Sequence, residues 1–536
     1  MSVFFRAALI TALVASSFAQ TFSTFTWPNA QLNYADKQLY EGGLSVVAQG
    51  CPSRDNSTIP AQWLRIAYHD MSTHNVDDGT GGLDASIQYE LDRPQNIGTG
   101  MAQSMNDFGV LFTLTAPFFG NMLADVIALG AILAVKACGG PLIPFRAGRV
   151  DATSAGPETV PEPQQDLAVH TESFRKQGFS PTEMISLVAC GHTLGGVRRA
   201  DFPLVVTDPN ADVVTFDSTT AFDNAVVSEY LRNTTENVLV VGPNVTTRSD
   251  FRIFSSDGNT TMQSMLSPDA FNQTCGDLIE RMINTVPNGV ELSDPIAEPF
   301  NYIVSEPLLS YQNGMLSLST TLRVLNSNPS RTVTMFWADR NTEAASFCPP
   351  SGCSVNSSSS SNSITLSLIG KAQGVTADRY SFNLSTPAIS SISKFWFQID
   401  ENGGSSPLIT VDNGGSGFVI GQDAVFIDNS RSTQEFVFVP SFKIVNRLVV
   451  AVRGDSSSTV SVTTFDASFS SSTPPFKPTI STVQLELDNQ NPAQGEFTFF
   501  TANITSTVTF LNLTANINGT TYMQENFDMT VTRFSD

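Results

Sequence analysis

Two periodicities divide this chain. Up to about residue 290 the apolar residues recur at helical spacing, and beyond it they alternate with polar ones at a period of two. Pro60–Met71 (PAQWLRIAYHDM) predicts a helix with Leu64, Ala67 and Tyr68 on one apolar stripe. Leu32–Gly50 supplies a shorter helix that ends at glycine, and Ser104–Cys138 a long apolar one broken at Pro117. The next segment, CGGPLIPFRAGRVDA, holds too much Gly and Pro for a helix. A further helix opens at Ser180 as cap, with Pro181 in the first position and Glu183 three residues on. Its stripe is Met184, Leu187, Val188 and Leu194, and Phe271–Pro287 reads as the last helix. After it come TVTMFWADR, SITLSLIG, RYSFNLS, KFWFQID, GFVIG, EFVFVPSF, RLVVAVRG, TVSVTTF, TVQLELD and GEFTFFTANI, with turn residues between them. The expected fold is a mainly α region over residues 20–290, followed by an all-β region over 291–536 built as one β-sandwich or two small ones. Ser354–Ser363 (SVNSSSSSNS) reads as a flexible loop or linker.

Length agrees with that division, because 536 residues exceed one compact domain. The first nineteen residues have a single Arg, an apolar core and small residues before a cut after Ala19, the pattern of a secretory signal. No later run is long and apolar enough for a membrane span: Met122–Cys138 carries Asp125 and Lys136 and reads as a buried helix. The C-terminus is polar, so a free, secreted protein is expected. Six cysteines then imply up to three disulfides among fifteen possible pairings, with Cys348 and Cys353 placed to close a short loop. Sequons at Asn56, Asn233, Asn244, Asn259, Asn272, Asn356, Asn383, Asn503, Asn512 and Asn518 fit a glycosylated extracellular chain. The formal charge of −22 argues against nucleic acid and anionic lipid as partners.

The chemistry gathers between Ala61 and Asn96. Arg65 and His69 lie four residues apart on one helix face. An imidazole beside a fixed guanidinium suits heterolysis of an O–O bond: the ring moves a proton between the oxygens, and the cation stabilises the departing one. Asp70 follows, and the Gly-rich GGLDAS then brings Gly82, Asp84 and Ser86. Carboxylates, a backbone carbonyl and a hydroxyl at alternate positions suit calcium. Asn96 is placed to accept the second ring N–H of His69 and so fix its tautomer.

The motifs R-x-x-x-H-D, G-x-D-x-S and E-x-x-x-x-x-N, in that order, resemble the plant, fungal and bacterial haem peroxidase superfamily. The Pro-rich TVPEPQQD is similar to its secreted fungal, class II-like branch. The resemblance implies haem b and calcium as cofactors, hydrogen peroxide as oxidant, and small phenolic or aromatic donors oxidised one electron at a time. It implies His69 as acid–base group, Arg65 as its partner and Asn96 as the residue that orients it. The G-H-T at Gly191–Thr193 matches the family's proximal helix, so His192 is the expected axial iron ligand, with Phe216 against it and Asp257 accepting its other ring N–H. Asp70, Gly82, Asp84 and Ser86 are the expected distal calcium set; Thr193, Asp217, Thr219 and Asp223 are the proximal one, whose Asp-to-Asp interval is one residue shorter than usual. A Cys51–Cys138 bridge matches one common in secreted members, which leaves Cys190 and Cys275 to pair. Tyr68 stands where the family has Trp or Phe, and either packs against haem or is itself oxidised.

A manganese site needs a cluster of acids and none can be assigned: Asp36 lies in roughly the right region without evident partners, and Trp63 reads as a buried helix residue. The alternative function is a secreted adhesion or wall-binding glycoprotein with an inactive peroxidase-like domain, its β region contacting polysaccharide through aromatics such as those of KFWFQID. A copper enzyme lacks the histidines: there are four, and His74 and His170 have no evident role.

Overall fold

The structure, a computed structural model, describes residues 30–41, 50–115, 122–305, 307–340, 348, 352–361, 366–405, 407–420, 423–438, 443–466, 474–476, 479–506, 510–528 and 533–534. The expected signal segment and Pro117 lie outside them.

Helices make up the first part: α1 (Ala30–Asp36), α2 (Ile59–Met71), α3 (Thr99–Thr115), α4 (Leu123–Ala137), α5 (Leu167–Lys176), α6 (Pro181–Gly191), α7 (Ala225–Arg232), α8 (Val238–Val241), α9 (Ser249–Phe254), α10 (Thr260–Ser264) and α11 (Pro268–Ile283). Local chemistry explains where the two central ones start. Thr58 caps α2 by accepting the Ala61 N–H, with Pro60 in the first turn. Ser180 and Glu183 form a reciprocal capping box on α6. Helix α4 is buried from Leu123 to Val135, and α2 packs along it. Cys51–Cys138 ties the lead-in of α2 to the end of α4, and Cys190–Cys275 ties α6 to α11. Loops of more than eighty residues closed in this way restrict the unfolded chain by about 4.6 kcal/mol each in the chain-entropy account. The third bridge is Cys348–Cys353.

Among the described residues from Tyr302 onward the secondary structure is β, apart from the short helix Leu368–Ala372. One five-stranded sheet has the order Ser359–Ser361, Ala377–Pro387, Met315–Leu325, Tyr302–Val304, with Leu308–Gln312 also on Met315–Leu325. A second has the order Ile409–Val411, Lys394–Asp400, Thr332–Ala338, Cys353–Asn356, with Phe418–Val419 on Lys394–Asp400. Leu318, Leu322 and Phe382 of the first share a core with Met335, Phe395 and Phe397 of the second. A six-stranded and a four-stranded sheet enclose another core, including Leu448, Val450, Val462, Leu513 and Phe527. The region is thus two facing pairs of sheets.

Two stretches differ from the pattern expected of them. In SITLSLIG the described end is helical: Ser367 caps Leu368–Ala372, which keeps those residues out of a ladder. Within SVNSSSSSNS, Ser359–Ser361 pairs with Arg379–Ser381, and Cys353–Asn356 pairs with Thr334–Trp337. An edge ladder needs only backbone N–H and C=O groups, so serines without an apolar pattern can still form it.

The N-terminal segment joins the two parts. After α1 the chain runs through a π-helical turn, Lys37–Glu41. Asp36, fully buried, pairs with Arg323 at 2.6 Å and accepts the Phe300 N–H at 2.7 Å. Glu41 meets Arg323 at 3.0 Å and Arg379 at 2.5 Å. Asp36, without evident partners in the sequence, thus has two in the fold. Asp36 belongs to the junction between the helical and β parts.

Candidate active site

Helices α2 and α6 both contribute to a cavity of about 750 Å³, within the usual range for cofactor and small-ligand sites. Arg65, Tyr68 and His69 line it from α2, and Leu187, Val188, Gly191 and His192 from α6 and its cap. Ile97 and Leu204 line it and are also exposed, so they mark its mouth.

His69 is fixed by its neighbour. Its Nδ1 lies 2.7 Å from Asn96 Oδ1, while Asn96 Nδ2 donates to the Glu90 carbonyl at 3.1 Å. With the amide nitrogen committed there, its oxygen must accept, so His69 carries its proton on Nδ1 and presents a bare Nε2. Arg65 Nε approaches that Nε2 at 3.3 Å, Arg65 Nη2 donates to the Gln95 carbonyl at 3.1 Å, and Phe202 lies 5.6 Å from the guanidinium carbon. Burial, then the Arg65 charge, pushes the His69 pKa down to about 3. Burial lowers Arg65 to about 10, still a cation at neutral pH. The pair is therefore a neutral base beside a fixed positive charge.

His192 caps the C-terminus of α6. Phe216 stacks on its ring at 4.1 Å with planes 13° apart. Its Nδ1 donates to Asp250 Oδ2 at 2.8 Å. Asp257, the residue expected there, is exposed and instead accepts from Thr261 N–H at 2.9 Å and Thr261 Oγ1 at 2.6 Å. The reason is packing: α9 lies against α6 and carries Asp250 in its first turn, whereas Asp257 falls in the turn that caps α10. Asp250 stands just ahead of FRIFSSDG, so an acid in this stretch was foreseeable, though not which one. Arg198 was missed altogether. It lines the cavity, and its Nε is buried without a hydrogen-bond partner among the described residues.

Tyr68 packs on Phe174 at 6.1 Å, and its hydroxyl meets Gln177 Oε1 at 3.4 Å. Trp63 is buried and donates to Asp107 at 2.7 Å. His74 and His170 hold the Gly81 and Glu162 carbonyls at 3.0 and 2.9 Å.

The residues of the two expected oxygen-rich sets make local hydrogen bonds. Asp70 accepts from Ala85 N–H at 2.7 Å and Ile87 N–H at 2.9 Å, and Asp84 accepts from Ser86 N–H at 3.1 Å. Gly82 sits in the same turn at φ +122°. Burial drives the Asp70 pKa well above the usual carboxylate range, with Asp84 adding repulsion. Thr193 Oγ1 donates to the Asp223 carbonyl at 2.6 Å, and Thr219 N–H to Asp217 Oδ1 at 2.9 Å. Asp217 Oδ2 is buried without a partner among the described residues, and burial, then Asp223 and Glu229, raise this carboxyl to about 7. Among the described residues no three His, Cys, Asp or Glu side chains converge as a metal group, so any cation here must also take hydroxyl and carbonyl oxygens.

The fixed, neutral His69 carries a prediction. Its folded pKa lies below the unfolded value, so folding favours the neutral ring, and that contribution is lost as pH falls from about 6.5 towards 3. In ¹⁵N-histidine-labelled protein His69 should stay neutral from pH 7 to about 4; titration near pH 6.5 would contradict this environment.

A sequence profile described as Peroxidase matches residues 46–267. The chain is 32% identical over 408 residues to a WSC domain-containing protein of Arthroderma benhamiae, which covers 71% of this chain and 53% of that protein. It is 35% identical over 139 residues to putative L-ascorbate peroxidase 6 of Arabidopsis thaliana, 26% of this chain and 41% of that one. With the mitochondrial cytochrome c peroxidase of Yarrowia lipolytica it shares 30% over 140 residues, 25% of this chain and 40% of the other. The chain thus spans about half the length of these relatives, or less. The first alignment is longer than the peroxidase match and continues into the β-rich part. Through residues 46–267 the chain belongs to the haem peroxidase superfamily, with an all-β region following that domain.

Proposed function

We propose that this chain is a secreted, haem-dependent peroxidase that reduces hydrogen peroxide and oxidises small phenolic or aromatic donors in one-electron steps. Its peroxidase domain spans residues 20–290. The observation that carries this reading is the pair of histidines on one cavity wall system, each fixed at Nδ1 and each left with Nε2 for chemistry. The donor set fits haem: His192 would hold the iron, Phe216 backs that imidazole, and the unpartnered Arg198 Nε would meet a haem carboxylate. When bound, haem supplies a redox centre that accepts two oxidising equivalents from peroxide and releases them singly to donors.

The chain's own groups do the rest. His69 Nε2 takes a proton from the peroxide oxygen that stays and returns it to the oxygen that leaves. Arg65 stabilises the negative charge on the leaving oxygen. Asn96 keeps the ring in the tautomer that can do this. The apolar lip at Ile97 and Leu204 suits flat organic donors. Tyr68 packs against the cofactor edge, the reading its contact with Phe174 supports. Three disulfides are compatible with an extracellular, glycosylated protein of the fungal branch, and no helix among the described residues is long and apolar enough to cross a membrane.

An absorption spectrum of haem-loaded protein, before and after equimolar peroxide, tests the reading. A Soret band that shifts with peroxide and is lost or altered in His192→Ala is expected, together with a roughly 10²–10⁴-fold slower peroxide reaction in His69→Ala. Haem that is not taken up, or that ignores peroxide, would leave the inactive, wall-binding reading.

Calcium at the two oxygen-rich sets is part of the proposal, and Asp217 supports it. Its folded pKa is raised, so its stabilising protonated form is lost as pH climbs from about 4 through 7. Asp217→Asn should therefore raise the melting temperature of calcium-free protein at pH 8 and abolish part of the gain on adding calcium. No calcium-dependent shift in the parent protein would remove the metal.

For the β region the proposed partner is a wall polysaccharide. Phe336 and Trp396 are neighbours on an outward sheet face, only partly buried, 6.0 Å apart with planes 12° apart, while Phe395 and Phe397 of the same strand fill the core. Retention on insoluble β-glucan or chitin, weakened in Trp396→Ala, is the expected outcome; no retention of the parent protein would exclude it.

A further inference from the structure

Asp250 serves two donors through one oxygen. Oδ2 accepts His192 Nδ1–H at 2.8 Å and Asn237 Nδ2–H at 2.8 Å, while Ser249 Oγ approaches Oδ1 at 3.2 Å. Asn237 and Asp250 are each only 1% exposed, so water does not compete for these bonds. The orientation of the Asn237 amide is fixed independently. Its Oδ1 accepts the Leu239 N–H at 2.9 Å as the cap of α8, and its own N–H donates to Thr235 Oγ1 at 3.1 Å. Its NH₂ group must therefore be the end that faces Asp250. On the face of the His192 ring, Phe216 offers no donor, which leaves Asn237 as the second strong claim on that oxygen.

We propose that Asn237 is a positioning residue that sets how much negative charge Asp250 presents to His192. A carboxylate oxygen shared by two donors polarises each of them less than an oxygen held by one. With the Asn237 bond in place, the His192 Nδ1–H is pulled less strongly, and its Nε2 is a weaker electron donor than the His192–Asp250 pair alone would make it. The same side chain fixes the turn that leads into α8, which couples this electronic setting to the backbone beside the cavity. The proposal rests on His192 being the axial ligand for its consequence at iron, but the shared hydrogen bond exists in the protein without haem.

Asn237→Ser separates the two duties. Serine is as good a helix cap as asparagine, yet too short to reach Asp250; Asn237→Thr is the second variant should the first fold poorly. With four histidines in the chain, ¹⁵N-histidine labelling resolves the His192 ring. In haem-free protein, the Nδ1–H proton of His192 should move downfield in Asn237→Ser and upfield or vanish in Asp250→Asn. In the ferrous haem-loaded protein, the iron–imidazole stretch should move to higher wavenumber in the first variant and lower in the second, a displacement that loss of a cap alone would not produce. If Asp250→Asn moves the His192 signal while both Asn237 variants leave it in place, the proposal is overturned. Should the parent protein take up no haem, the peroxidase reading falls, and the haem-free spectra still decide whether Asn237 acts on His192.

Discussion

Holding two imidazoles in fixed orientations at one cavity is the constraint on which the site depends. A free imidazole can rotate, change tautomer and take up a proton near neutral pH. Here each ring is pinned at Nδ1, His69 by an amide oxygen and His192 by a carboxylate. The difference in partner is chemically meaningful. An amide oxygen fixes a tautomer without adding charge, which keeps His69 a base with a bare Nε2. A carboxylate adds charge and would strengthen the imidazole of His192 as a donor to any metal it held. The two rings that line one cavity thus receive different electronic treatment.

The surrounding helices meet that constraint by being hard to move. Helix α4 is buried over almost its whole length and backs α2, and the Asp125–Arg149 ion pair ties it to the Ile283 carbonyl at the end of α11. Disulfides fasten the lead-in of α2 to α4 and α6 to α11. The Asn96 and Asp250 partners stand outside α2 and α6, so their positions are set by the loop after α2 and by α9. The β region is joined to this framework through Asp36, Glu41, Arg323 and Arg379, charges that are costly to bury singly and so persist only as a matched set. Ile369 of the short helix Leu368–Ala372 even shares the core of the helical part. The two parts are packed on each other and do not hang on a tether.

Much of this was legible in the residues. Helical spacing put Arg65 and His69 on one face; a capping box and Pro181 announced the start of α6; alternating runs such as KFWFQID announced strands. Those signals are local, arising from backbone hydrogen bonding and the burial of one face. Where two local preferences competed the pattern misled. Ser367 capped a helix in SITLSLIG, and the serines of Ser359–Ser361 joined a ladder that asks nothing of side chains.

The sequence by itself determined the division into helical and β parts, the distal Arg65–His69 pair with Asn96, and His192 at the end of its helix, because each is written in spacing along one element or one short loop. Only the tertiary structure decided that Asp250 and not Asp257 reaches His192, that Asn237 shares its oxygen, that Arg198 joins the cavity lining with its Nε buried and unpartnered among the described residues, and that Asp36 faces Arg323. Each of these depends on which of several chemically equivalent side chains is carried to a given point by the packing of separate elements. Charge and hydrogen-bonding capacity are properties of a residue; the partner it finds is a property of the fold.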